Sequence, residues 1–569
     1  MANEPPSSPQ SARMAIDARK AELEREIIAL NALRNATLSI NQLPNEIFVE
    51  IILLADYEDY SVGLNYDKEP REIGTTHWIP LMHVCQRWRT VICSTPKFWR
   101  SIDVYNTVDW LKLCLTRVGN STLEVSFHRD RGALLGLPVL TPVAERISTI
   151  LFPLIDPWSF SRIPSFIDRA FPMVVEMGVA RYTGGPDEWG EWPTRELEVE
   201  DVRFDLTTAR FPSLRILHLQ GVSMPWTPSV VSRLTYLEVT RCSLDAGPRL
   251  DVSAFLDVLT TCHELTVLRL QKYVSSIVEY RSQIPKRVIT IPKLRQFVLS
   301  DDPGYIVKLL SCIHLPIGVH VIISPTVEYV LVDEPVSFTA LFPPDRRTVP
   351  LLASATAARI DIFEGNMGFN INVNDPKSRG FHVDFCCERG FEPPGEWSSY
   401  FGRGLTEFVE LCAGSPLTWL HIRGDLNHVS LNGWHRLFSA FPQLKEVDID
   451  CTGPSIAGIF LALAFPPLTT TEDVSVVCPK LRFLTIDGDA YYGHGDLRMV
   501  ENVLRTRASR GAEDLGMLRL RLLHDTEEHF QLRLTRANGA LAELMPNGKL
   551  YFEQAVRPQS DWESEAESE

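Results

Sequence analysis

At 569 residues, with 45% hydrophobic and 22% charged side chains, the chain has a globular composition and enough length for two or more full cores. A net charge of −16 argues against a general binder of nucleic acid or of anionic membranes, both of which require a basic field. The 11 cysteines form no CxxC pair and no even framework, and Cys386 and Cys387 with the nearby His382 are too few to close a zinc site, so reduced core thiols and no metal are expected.

No apolar stretch follows Met1, so no secretory signal is expected. No run reaches the roughly 18 apolar residues that span a bilayer; Leu309 to Ser324 comes nearest and is interrupted by His314, Pro316 and His320. The expected place is a reducing compartment, cytoplasmic or nuclear, with no membrane partner. Residues 1–12, with Pro5, Pro6, Ser7, Ser8 and Pro9, read as a disordered leader. Residues 13–38 are rich in helix formers and place Ile16, Leu23, Ile27, Leu30 and Leu33 at helical spacing. Two readings stay open for that stripe: a short coiled coil, or a helix lying against the module that follows.

Residues 39–105 read as a small helical module. Pro44 suits the first turn of a helix, and Ile47, Phe48, Ile51 and Ile52 make one broad apolar face behind it. Val84, Trp88 and Val91 make a second stripe, widened by Cys85 and Ile92, and Pro96 opens a third short helix carrying Phe98 and Trp99. A module of about sixty residues cannot hide this much apolar surface internally, so part of it is expected to face a partner or the next domain.

Residues 106–555 carry the pattern Leu-x-x-Leu-x-Leu, with other aliphatics allowed. It occurs at Leu214-Leu217-Leu219, Leu234-Leu237-Val239, Leu265-Leu268-Leu270, Leu294-Phe297-Leu299, Leu417-Leu420-Ile422, Leu444-Val447-Ile449, Leu481-Leu484-Ile486 and Leu515-Leu518-Leu520. Proline just ahead of the strand recurs at Pro212, Pro292, Pro442 and Pro479. Alternate residues of each strand are expected in a shared core and the others on an exposed face, with helices such as Val252–Thr260 and Trp434–Ala440 in the intervals. Between 303 and 414 the pattern is faint, with possible strands at Val327–Leu331, Arg359–Ile362 and Phe381–Phe385. Residues 177–201 read as a long loop, and 556–569 as an acidic disordered tail.

Catalytic text is missing: there is no GxSxG elbow, no GxxxxGK[ST] loop and no HExxH. Cys262-His263-Glu264 reads as a helix end before a strand, and the Gly488 to Asp496 segment as a turn. No enzyme and no cofactor are expected.

The segment 43–101 resembles an F-box. Leu43, Pro44, Glu46, Ile47 and Ile51 match its Leu-Pro and acidic-apolar helix, Val84, Cys85, Arg87 and Trp88 its second helix, and Trp99 its closing tryptophan. The link from Asp56 to Trp78 is longer and more charged than usual, and one extra residue lies between Trp88 and Trp99. The layout looks like the large F-box families of mushroom-forming fungi. The resemblance implies binding to the Skp-type adaptor of a cullin ubiquitin ligase, with Leu43, Pro44, Ile47, Ile51, Val84, Cys85, Trp88 and Trp99 as adaptor contacts or the core that shapes them. The alternative is a helical cap over the open end of the repeats, and both can hold together.

The expected fold is α/β, an N-terminal helical F-box module followed by a leucine-rich-repeat-like solenoid. The expected function is that of a substrate receptor in a Skp–cullin–F-box ligase; the alternative is a structural scaffold with a vestigial F-box. The outward strand positions are the candidate surface for a target protein: Ile216, His218 and Gln220; Tyr236, Glu238 and Thr240; Trp419, His421 and Arg423; Glu446, Asp448 and Asp450; Phe483, Thr485 and Asp487; Arg519 and Arg521. Trp419 beside His421 and Arg423 suits a binding hot spot, and the acidic row 446–450 suits a basic peptide. The competing reading pairs Arg423 with Asp448 or Asp450 across the ladder.

Overall fold

In a computed structural model, the structure describes residues 9–55, 78–104, 108–127, 131–155, 162–181, 206–222, 228–240, 252–277, 285–325, 337, 339–363, 366–372, 380–386, 397–425, 429–452, 456–464, 476–491, 494–523, 535, 539, 541, 543–545 and 548–554. The protein is mixed α/β and divides into two units, Met1–Pro225 and Trp226–Glu569.

The first unit opens with helices α1 (Pro9–Ala36), α2 (Ser39–Gln42), α3 (Asn45–Ala55), α4 (Trp78–Leu81) and α5 (Gln86–Ser94), then a 3-10 turn at Pro96–Trp99. α1 thus takes in the end of the expected leader. None of its side chains is buried, and Ile16 and Leu30 are 68% and 60% exposed. The reading in which this helix rests on the following module is therefore not realised. After the turn come β1 (Ser101–Val104), α6 (Val108–Val118), β2 (Leu123–Phe127), β3 (Ile147–Ile155), β4 (Glu176–Arg181) and β5 (Ile216–Gln220). The five strands are parallel in chain order, and their register lines up Ile102, Val125, Ile150, Met177 and Leu217 in one buried row. Phe127 stacks on Phe152 beside that row, ring centroids 4.6 Å apart.

β4 begins at Glu176, so the first residues of the expected loop 177–201 form a strand, while 182–205 lie outside the described residues. Its text, Val174-x-x-Met177-x-Val179, is the repeat pattern with its leucines replaced, and Ile147-x-x-Ile150-x-Phe152 is another instance. All six side chains are buried.

The second unit continues with β6 (Tyr236–Thr240), β7 (Val267–Gln271), β8 (Ile289–Thr290), β9 (Gln296–Asp301), β10 (Ile313–His314), β11 (His320–Pro325), β12 (Ala357–Phe363), β13 (Asn366–Asn372), β14 (Phe381–Cys386), β15 (Trp419–Asp425), β16 (Glu446–Thr452), β17 (Phe483–Tyr491), β18 (Met517–Leu523) and β19 (Lys549–Gln554). Leu237, Leu268, Phe297, Val321 and Phe381 share one row across β6, β7, β9, β11 and β14. Leu420, Val447, Leu484 and Leu518 share another across β15 to β18. Helices join these strands, and Leu431–Ala440, Ala457–Ala464 and His494–Ser509 pack in succession.

The faint region departs from simple repetition. Arg359–Ile362 falls in β12 and Phe381–Phe385 in β14, but β13 lies between them, antiparallel to both. β14 then pairs parallel with β11 and β12 with β15. Val327–Leu331 lies outside the described residues.

A local turn sets up many of the strands. The Leu214 N–H donates to the Phe211 carbonyl (3.4 Å), Leu294 to Ile291 (3.2 Å), Leu444 to Phe441 (3.2 Å) and Leu481 to Cys478 (3.1 Å). Each is an i to i+3 turn with proline at its second position, where the fixed φ is already correct. Both the first residue of the turn and the leucine that follows are buried, so the turn hands the chain from one core contact to the next. Cys262-His263-Glu264-Leu265 makes the same turn without proline (3.3 Å), which accounts for that triplet structurally.

Candidate functional site

Two surfaces carry the sequence-selected residues. On the module, the broad apolar face of α3 splits. Phe48, Val49 and Ile52 are buried, at 1%, 6% and 4% exposure, whereas Ile47 and Ile51 stay exposed at 51% and 41%. Leu54 (67%) follows Ile47 and Ile51 on the outer side of the helix, and Val84 (54%), just ahead of α5, is exposed as well. Pro44 is exposed; Leu43, Cys85 and Trp88 are half-buried. Solvent-facing isoleucine and leucine at helical spacing, over a core already filled by other residues, is the signature of a surface awaiting a partner.

The inner half is held by contacts from α5. Trp88 meets Phe48 edge to face at 4.8 Å, and its indole N–H donates to Asn41 Oδ1 at 2.6 Å. Arg87 donates to the carbonyls of Asn41 and Leu43, the latter at 2.5 Å, and to Asn45 Oδ1 at 3.1 Å. One guanidinium therefore ties the Leu43-Pro44 turn, which aims α3, to the second helix. Lys97 adds an ion pair with Glu50 at 2.6 Å. Arg87 was visible in the sequence as part of the family pattern, but its positioning role was not, because its partners lie more than forty residues away in the chain.

Trp99 belongs elsewhere. It is 2% exposed, donates its N–H to the Ile92 carbonyl at 2.9 Å, and packs against Trp78 (4.6 Å) and Trp110 (5.9 Å). A side chain so enclosed cannot touch an adaptor; it shapes the module's core. Trp110 lies in α6, so this aromatic core continues past the third helix into the first strand–helix step.

The second surface is the outward face of β15 to β18. Leu420, Ile422, Val447, Ile449, Leu484 and Ile486 are buried, while Trp419, His421, Glu446, Asp448, Asp450 and Thr485 are half-buried and Arg423 and Phe483 exposed. The pairing registers Trp419–Glu446–Phe483–Met517 in one row, His421–Asp448–Thr485–Arg519 in the next and Arg423–Asp450–Asp487–Arg521 in a third. Arg423 reaches Asp450 at 3.2 Å and Arg521 reaches Asp487 at 2.7 Å. The cross-ladder pairing thus holds for Arg423 with Asp450. Trp419 and His421 meet edge to face at 5.9 Å.

The equivalent positions of β5 and β6 are not outward. His218 (2%), Gln220 (7%), Tyr236 (7%), Glu238 (2%) and Thr240 (5%) are buried, and only Ile216 is partly open. His218 lies 3.5 Å from Glu176, and the Tyr236 hydroxyl donates to Glu238 at 2.9 Å. Alternation gives the face of a residue but not whether that face is covered, and these leave the candidate surface.

Burial, and then Arg359, push the His421 imidazole below its usual 6.5, against the pull of Asp448, Asp361 and Asp450. Burial does the same to His435. Below pH 6.5 the unfolded chain takes up protons at these sites before the folded one does, so stability rises with pH there and is lost on acidification. Glu446 is pushed above 4.5, by burial and then by Asp448, against a hydrogen bond from Trp419; its contribution has the opposite sign and acts at lower pH. Unfolding midpoints recorded from about pH 7.5 down to about 5.5 should therefore fall, and fall less in His421→Asn. Parallel profiles for the two proteins would contradict this assignment.

Among the described residues no group of three or more His, Cys, Asp and Glu is placed to hold a metal ion, and no helix is long and apolar enough to cross a membrane. The buried thiols are held protonated: burial pushes Cys114, Cys262 and Cys478 up to about 12. The model of the F-box-like family matches residues 40–105, the stretch that carries the split α3 face. No curated protein matches the chain.

Proposed function

We propose, from the F-box-like domain at residues 40–105, that the chain is the substrate receptor of a Skp–cullin–F-box ubiquitin ligase. The module would bind the Skp-type adaptor through Pro44, Ile47, Ile51 and Val84, with Leu43, Cys85 and Trp88 at the margin. The observation that carries this reading is the outward apolar side of α3 inside the family match. The strand–helix repeats behind it, read as a leucine-rich-repeat-like solenoid spanning about 106–555, would hold the target protein. Their support is the in-register burial of the Leu-x-x-Leu-x-Leu positions. The layout also looks like that of the fungal F-box families named above. The chain would act by proximity and orientation, presenting the target to a conjugating enzyme carried on the cullin, with no covalent chemistry of its own.

The interruption at residues 56–77, between α3 and α4, favours a second reading, a scaffold whose F-box no longer engages an adaptor. Co-expression with a recombinant Skp-type adaptor separates the two. The receptor reading expects a complex of equal stoichiometry that survives gel filtration. Failure of the full chain to retain the adaptor at micromolar concentration would leave only the scaffold.

A further inference from the structure

The charges on the outward face of β15 to β18 fall into two classes. In the third row they cancel within the sheet: Arg423 with Asp450, Asp487 with Arg521. Arg359 and Asp361, on the neighbouring strand β12, cancel likewise at 2.7 Å. Glu446 and Asp448 are different. They stand two residues apart on β16, so both point to the same side, about 7 Å apart along the strand. Among the described residues no cation pairs with either, and burial, then Asp448, push the Glu446 carboxyl up.

The neighbours of Glu446 in its row are aromatic, while Asp448 stands between His421 and Thr485. Trp419 and Phe483 occupy the same row as Glu446 on the two adjacent strands, each about 5 Å away in the pairing direction. Trp419 donates to the Glu446 carboxylate, and Phe483 is 39% exposed. A carboxylate between two partly exposed rings suits a guanidinium or ammonium group, which meets a negative charge at its head and ring faces along its sides. A phosphate-bearing partner would be repelled, and Arg and aromatic groups are the enriched anchors of protein interfaces.

We propose that this face, on β15 to β17, docks an extended segment of the target protein carrying basic side chains at alternate positions. One enters between Trp419 and Phe483 onto Glu446, and the next rests on Asp448. Alternate residues of an extended peptide lie on one side at the same spacing as Glu446 and Asp448, so the match is geometric as well as electrostatic. The inference deepens the target-binding half of the proposed function and rests on that reading, while leaving the adaptor half untouched. It replaces Arg423 and Asp450, which satisfy each other, with Phe483.

The test uses the full chain and fluorescein-labelled peptides in fluorescence anisotropy, at about 0.15 M salt so that long-range attraction is screened. The probes are Gly-Arg-Ala-Arg-Ala-Gly, its isomer Gly-Ala-Arg-Arg-Ala-Gly, and the glutamate analogue of the first. The alternating arginine peptide should bind best and the glutamate peptide not at all. Glu446→Gln with Asp448→Asn should weaken the first peptide by about tenfold or more, as should Phe483→Ala, which alters an exposed ring and not the core. Glu22→Gln with Glu24→Gln, on α1, removes the same net charge and should leave affinity unchanged. The proposal is overturned if wild type binds no arginine peptide, as it would if the chain covers this face itself, or if the α1 pair weakens binding as much as the β16 pair. Adaptor retention, measured on the same proteins, reports separately: its loss in wild type alongside intact peptide binding would sink the ligase reading and leave the docking face standing.

Discussion

Arg507→Ala should lower the stability of the Trp226–Glu569 unit by about 3–5 kcal/mol, the usual cost of stranding partners of a buried charged group. Arg507 is 4% exposed, on the helix His494–Ser509. It donates to the carbonyls of Leu463 (3.0 Å), Val477 (2.6 Å) and Cys478 (2.8 Å). Leu463 lies in the last turn of the helix Ala457–Ala464, where carbonyls have no partner within the helix. Cys478 stands at φ 44 and opens the turn that leads into β17. A single guanidinium thus closes a helix end and pins a strained residue at the same time. Arg507→Lys should recover less than half of the loss, because an ammonium lacks the planar fork that reaches separate acceptors. Arg510→Ala, at an exposed residue that donates to the Ala464 carbonyl at 2.9 Å, should cost less, about 1 kcal/mol. Denaturant midpoints followed by circular dichroism give the comparison. A loss below about 1 kcal/mol for Arg507→Ala would show that water replaces the guanidinium without penalty.

Ile47→Asp combined with Ile51→Asp should reduce adaptor binding by a hundredfold or more while shifting stability by no more than about 1 kcal/mol. Both side chains already face water, so the folded protein tolerates the carboxylates. An apolar interface would have to bury them unpaired. Phe48→Ala, one residue along, reads out differently. It removes a ring that is 1% exposed and packed on Trp88, and should cost about 3–5 kcal/mol, losing the adaptor only through loss of the module. Calorimetric titration with the adaptor and thermal melts of the same samples separate the two effects. A drop of less than tenfold in the double variant would move the contact surface off α3.

The contrast between Ile47 and Phe48 shows where sequence reading stops. Helical spacing grouped Ile47, Phe48, Ile51 and Ile52 as one apolar face, and it is one. Which edge of that face is covered depends on Trp88, supplied from beyond the long link, and periodicity carries no information about it. The same reasoning moves Trp99 from contact to core. In the strands, the alternating pattern placed Leu420, Val447, Leu484 and Leu518 in a common row, because side-chain direction there is a matter of odd and even positions. It missed Ile147-Ile150-Phe152 and Val174-Met177-Val179, where other apolar side chains do the work of leucine. It also missed β13, whose asparagines and glycine, in Asn366-Met367-Gly368-Phe369-Asn370-Ile371-Asn372, read as turn formers. The charges were half legible. Both readings of Arg423 were open in the sequence, and only the register between β15 and β16 chooses Asp450 over Asp448.

The turns ahead of the strands bear on how such a chain tolerates change in length. Each strand that follows such a turn is placed by its own few residues, a buried side chain, a turn and a leucine, and not by its distance from the strand before. Residues can therefore be gained or lost in the connections, and the spacing from Leu214 to Leu234 differs widely from that between Leu444 and Leu481. One residue added between Phe441 and Ile449 is another matter. It would turn Val447 toward water and Asp448 toward the core, and the mismatch would pass to both neighbouring strands. Insertions and deletions accepted by this fold should accordingly cluster outside these short segments, leaving the segments themselves constant in length.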